Sequence, residues 1–171
     1  MKYDKKMSIQ YVSKENFSNL GVVIQIPKEG EMKPLLESSF FKHYGPLGFI
    51  EGKEDVEFGI TTFKKRELIA EKLEQHAQTQ ELLYAIDGDF IMPVAPIIHK
   101  EGEAFPDEEK LRIIRVPQGV GVIFKQGYWH WAPFPVKQTS SVLVGFKKGT
   151  AEKDIIIREL KENILMIEEE K

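Results

Sequence analysis

The sequence predicts an all-β domain, a sandwich or barrel of short antiparallel strands, and three observations carry that expectation. Short apolar runs recur between turn residues along most of the chain, with Gly45, Gly48, Gly52 and Gly59 ahead of Ile60-Thr61-Thr62-Phe63. Asp87-Gly88 lies between two apolar runs, a hairpin signal because a tight turn there needs the positive φ that glycine accepts. With 171 residues, 42% of them hydrophobic, the chain is long enough to bury one core, and 1–171 reads as a single domain.

Taken in order, 9–12 reads as a strand and Ser13 as the cap of a short helical turn through Phe17, since its hydroxyl can satisfy the free N–H groups that open a helix. Gly21 closes that turn, and 22–26 is a strand stopped by Pro27. Strand and turn then alternate for about a hundred residues, as short strands with frequent turns do in sandwiches and barrels. The charged stretch 100–110 reads as a solvated surface loop. At the end, Ile156, Leu160, Ile164 and Ile167 recur at helical spacing behind a capping Thr150, which predicts a helix over about 151–170 outside the barrel. Its apolar face would pack on the barrel or on a partner chain.

Charge and composition exclude several functions. With 24 Lys and Arg against 27 Asp and Glu the net charge is −3, and no basic stripe stands out, which argues against nucleic acid or an anionic membrane surface as partner. A small molecule is the expected partner. There is no cysteine, so disulfides and thiolate catalysis are ruled out and any metal must be held by His and carboxylates. No stretch approaches the roughly 20 apolar residues of a membrane span, and no apolar run follows the first six residues, so a cytoplasmic protein is expected.

The four histidines are His43, His76, His99 and His130. Glu74 and His76 are two apart, so on a strand both face the same way. Glu81 joins that face only if Ala77-Gln78-Thr79-Gln80 turns the chain into another strand. His130 follows a Gly127 turn and would arrive from a different strand, with Trp129 and Trp131 pointing the opposite way as wall or core. His43 and His99 read as surface residues. Lys125 and Arg66 are the cations near these clusters best able to hold an acidic substrate.

These clusters resemble known motifs. Glu74-x-His76-x4-Glu81-x6-Gly88 is similar to the first cupin motif, with Glu74 where the first of two histidines usually stands. Gly119-x5-Lys125-x-Gly127-x2-His130 is similar to the second, with Lys125 where Pro is common. Val12-Ser13-Lys14-Glu15-Asn16-Phe17 through Gly21, Pro93-Val94-Ala95, and Gly119 or Gly121 through Trp129-His130 further resemble ureidoglycolate lyases, also called ureidoglycolate hydrolases, of the cupin superfamily. The chain departs from that family at Glu81, where Gln is common, at Phe146-Lys147, where Asp-Arg is frequent, and in the acidic stretch 100–110.

The resemblance implies a double-stranded β-helix, or jelly-roll barrel, with one divalent transition metal ion (Mn, Zn, Fe, Ni or Co) on His76, Glu81 and His130, and Glu74 as fourth ligand or as base. It implies an enzyme that releases urea from ureidoglycolate to leave glyoxylate, or that acts on a related small hydroxy acid, with Lys125 able to neutralise the substrate carboxylate. A cupin sugar or sugar-phosphate isomerase, and a non-catalytic cupin that binds a small acid, are the alternatives the same residues allow. A two-fold homodimer is expected from similarity to dimeric cupins.

Overall fold

The computed structural model describes residues 2–28, 30–39 and 42–168, without the side chain of His43. Its first elements are β1 (Lys5–Tyr11), α1 (Lys14–Phe17), β2 (Gly21–Ile24), β3 (Leu36–Glu37), β4 (Lys42–His43), β5 (Val56–Lys64), β6 (Ile69–Gln75), β7 (Glu81–Ala85) and β8 (Phe90–Ala95). They are followed by β9 (Ile97–Lys100), β10 (Glu103–Pro106), β11 (Arg112–Val116), β12 (Gly121–Phe124), β13 (Trp129–His130), β14 (Phe134–Pro135), β15 (Thr139–Lys147), α2 (Thr150–Lys153) and β16 (Ile156–Ile167). None of the described helices is long and apolar enough to cross a membrane.

Most of the strands fall into two sheets, and the chain crosses repeatedly between them. One carries the order β2-β12-β7-β15-β5, and the other contains β6-β13-β8-β11. This winding, with β6 in one sheet and β7 in the other, is a jelly-roll arrangement. The all-β barrel expected from the sequence is therefore present, and so is the N-terminal turn. Ser13 Oγ accepts from the Asn16 amide at 3.2 Å while Asn16 Oδ1 accepts from the Ser13 amide at 2.8 Å, a reciprocal capping box.

The second sheet closes on itself. β11 pairs with β1, β1 with β16 and β16 with β6, so that two strands from the ends of the chain bridge the sheet's edges. The middle strands are consequently buried on both faces. Along β8, Phe90, Met92 and Val94 enter the core between the two sheets, with Leu83, Val122 and Phe124. Ile91 and Ala95 enter a second core with Leu73, Trp129, Leu160 and Ile164. Alternate residues point to opposite faces, so a strand between two cores must be apolar throughout, as β8 is.

Three expectations are corrected here. Asp87-Gly88 closes no hairpin: β7 pairs with β12 and β15 in one sheet and β8 with β11, β13 and β14 in the other, so this turn crosses between the sheets. The C-terminal helix expected over 151–170 is only the single turn α2, and Ile156–Ile167 is strand β16; positions 169–170 lie outside the described residues. A spacing of four residues satisfies both a helix and the two-residue period of a strand, so Leu160 and Ile164 suited both. Tertiary pairing with β1 and β6 decided for the strand, with a shift in register between Glu159 and Ile164. The stretch 100–110 is also no simple loop. β9 and β10 form a hairpin about Glu101 and Gly102, both at positive φ (52° and 85°), the backbone that a two-residue turn requires.

Candidate metal centre

Strand β6 presents Glu74, and His76 one residue past its end, toward the cavity, while Leu73 faces the second core. Beyond His76 the chain turns, and Asp154 organises that turn from the far end of the sequence. Its carboxylate accepts from the Ala77 amide at 3.0 Å and the Gln78 amide at 2.8 Å. Its backbone carbonyl lies 2.7 Å from His76 Nδ1. A carbonyl can only accept, so Nδ1 must carry the proton, which leaves Nε2 as the ligating nitrogen when the ring is neutral.

The turn carries the chain into the opposite sheet, so Glu81 at the start of β7 faces β6 across the first core rather than sitting beside it. His130 comes from β13, hydrogen-bonded between β6 and β8. The turn before it requires Gly127 at φ 78°, where a Cβ would also lie 2.9 Å from Ile97 Cδ1. Trp129 then enters the second core, and the His130 ring stacks on Phe124 at 5.0 Å between centroids.

Glu81 Oε2 lies 2.8 Å from His130 Nε2 and 3.7 Å from His76 Nε2, and Glu74 Oε1 lies 3.7 Å from His130 Nε2. Glu74, His76 and His130 each offer one ligand atom within 4.8 Å of the others. Two ligand atoms each about 2.1 Å from one ion lie about 3.0 Å apart at right angles and about 3.4 Å apart at tetrahedral angles. Small side-chain rotations therefore convert the observed spacing into a coordination shell, and the residues fit a metal ion.

Electrostatics couple these groups. Burial alone would push the Glu81 carboxyl up, but contact with His130 and the nearby His76 outweigh it and hold the carboxyl below its usual range. Burial disfavours the His130 cation, yet Glu81 and then Glu74 raise its pKa above the ordinary value. The Glu74 carboxyl is raised, first by burial and further by Glu81, against the opposing pull of His130. Two buried imidazoles and two carboxylates in contact are costly to keep unless protons or a cation balance them.

These four side chains border a cavity of about 370 Å3 whose wall also includes Phe63, Leu83, Val144 and Phe146. The other sequence-selected residues lie elsewhere. Lys125 is exposed, with Nζ 3.4 Å from the Ser18 carbonyl and 3.3 Å from that of Asn19. Arg66 donates to the carbonyls of Pro133 at 2.7 Å and Ala132 at 2.6 Å and covers the Phe134 ring, so it fixes the 132–135 backbone. His99 is exposed, as expected, and the His43 side chain lies outside the described residues. Sequence reasoning missed Asp154 and marked Phe146 only as a departure from the resembled family; the Phe146 ring lies 6.0 Å from that of His76. Only the return of β15 and α2 brings these two residues to the site.

No family model matches the chain, and no curated protein matches it. Among solved structures it is similar to Bacillus subtilis oxalate decarboxylase, in a study of that enzyme's Mn(II) centres, at TM-score 0.41 and 16% identity over 63% of this chain and 24% of that one. The same enzyme at pH 4.6 gives TM-score 0.39 and 17% identity, again over 63% of this chain and 24% of that one. The chain thus spans about a quarter of the length of the enzyme it matches.

Proposed function

We propose that this protein is a metal-dependent cupin enzyme in which Glu74, His76, Glu81 and His130 hold one divalent transition ion at the cavity. The convergence of these four side chains from β6, β7 and β13 is the observation that supports it. Two imidazoles and two carboxylates suit Mn, Fe, Co, Ni or Zn better than Ca or Mg. When bound, such an ion supplies Lewis-acid chemistry, polarising a carbonyl or lowering the pKa of a coordinated hydroxyl. The chain's own residues do the rest. The Asp154 carbonyl keeps His76 in one tautomer. Glu74 is the most exposed of the four, and where it serves as base in place of ligand it takes and returns a substrate proton, work that its raised pKa suits.

Release of urea from ureidoglycolate is the finer reading, and it rests on the motif resemblance. In that reaction Glu74 would take the hydroxyl proton as the carbonyl of glyoxylate forms and the C–N bond breaks, and the departing nitrogen would be protonated. Lys125, the cation considered for the substrate carboxylate, lies on the exposed surface instead. Elemental analysis of protein purified without chelator tests the coarser reading: one ion per chain is expected, lost in His76→Ala and His130→Ala while the circular dichroism of the barrel persists. Urea release above the spontaneous rate by the metal-loaded protein tests the finer one. Metal-free protein that cannot be reconstituted would refute both.

A further inference from the structure

Building on the metal-site reading alone, and against ureidoglycolate, which is itself a small anion, we infer that the cavity selects an uncharged or cationic small molecule with an apolar body and rejects small anions. Three carboxylates line it, Glu57, Glu74 and Glu81, and no Lys or Arg does so among the described residues. A divalent ion offsets two of those three charges, and with neutral imidazoles the cavity stays negative by one. An incoming carboxylate finds attraction at the ion alone and repulsion from the wall.

Arg66 and Lys147 are engaged elsewhere, and Lys53, Lys148 and Lys153 line a neighbouring hollow that shares Glu57 with this cavity. Arg66 is spent on two backbone carbonyls, and Lys147 Nζ sits 2.8 Å from Glu54. Glu57 differs from the two ligand carboxylates. It stands on β5 six residues before Phe63 and so on the same face of the strand as that ring, which packs on the first core, and it makes no ion pair among the described residues. A substrate ammonium or amidinium reaching it would gain a partner that the fold does not provide. The rest of the wall, including Phe58, Leu83, Val144, Phe146 and Ile155, offers dispersion contacts and no charge. Recognition here rests on apolar contact and on a cation or neutral dipole, with the ion reached through an oxygen or nitrogen donor.

Benzamidine, benzamide and benzoate share one shape and differ in charge, so they separate these effects. Each is titrated calorimetrically into zinc-loaded and metal-free protein, with metal content measured on the same samples. Benzamide is expected to bind at least tenfold more tightly than benzoate, and benzamidine at least as tightly as benzamide. Glu57→Gln is expected to remove any benzamidine advantage while metal content stays unchanged. Benzoate binding to zinc-loaded protein as tightly as benzamide overturns the inference and leaves the metal reading intact. Binding of none of the three also overturns it, because the cavity would then not accept an apolar body. Protein that takes up no metal yet keeps the preference for benzamide over benzoate sustains the inference and refutes the metal reading.

Discussion

Replacing Asp154 by Ala tests whether the end of the chain positions a metal ligand. The substitution deletes a carboxylate that accepts two backbone amides, at 3.0 and 2.8 Å from Ala77 and Gln78. Hydrogen bonds to a charged group contribute about 1.5–3 kcal/mol each when buried. Ala77 and Gln78 are exposed, however, and water can satisfy their freed amides. The expected loss of stability is therefore about 1–2 kcal/mol for the pair, not the full sum. The effect on metal binding should be larger in proportion. Once the turn loosens, the Asp154 carbonyl no longer pins His76 Nδ1, and loss of such an outer partner typically weakens metal affinity about 10–100-fold. Asp154→Asn keeps one oxygen acceptor and should fall between wild type and Ala. Urea unfolding of metal-free protein gives the first quantity, and competition with a chromophoric chelator gives the second. A destabilised Asp154→Ala protein that binds metal with wild-type affinity would refute the positioning role. An unchanged stability would refute the hydrogen-bond account of the turn.

Glu81→Gln should weaken metal binding and lower any metal-dependent turnover together, because a neutral amide replaces an anionic oxygen that touches both imidazoles; a mutant of full activity with little metal would show the ion to be incidental. In metal-free protein the Glu81–His130 pair should impose a pH window on stability. The raised His130 pKa gives a contribution complete below the unfolded-state pKa and lost as pH rises through the folded value, while the lowered Glu81 pKa gives one present above its unfolded-state pKa and lost as pH falls through the folded value. Urea midpoints across pH read both limbs, and metal affinity should fall as pH drops through the raised His130 pKa, since the ion must displace that proton. Leu160→Ala should cost about 2–4 kcal/mol in urea unfolding, the cost of a cavity in the second core, whereas Glu162→Ala on the same strand should cost little.

Much of this protein is legible in its sequence because the signals are local. The alternation of apolar residues and the Ser13–Asn16 cap each depend on a few neighbouring residues, and each points to its element without reference to the rest of the chain, whereas Asp87-Gly88 marks a turn but not the hairpin its sequence suggests. The pairing of Glu74 with His76 is equally local, because residues two apart on a strand share a face whatever surrounds it. What the tertiary structure alone decided is non-local. The spacing from Ile156 to Ile167 fits two periods, and only hydrogen bonds to β1 and β6 chose the strand that closes the second core. Lys125 shares a motif with His130, yet side chains five residues apart on either side of a glycine turn need not converge, and this one meets carbonyls from α1's end on the exposed side. Asp154 is 78 residues from the histidine it holds. The cavity's charge was hidden for the same reason: Glu57 and Phe146 are register partners on adjacent strands, brought to the site by sheet pairing that no local pattern encodes.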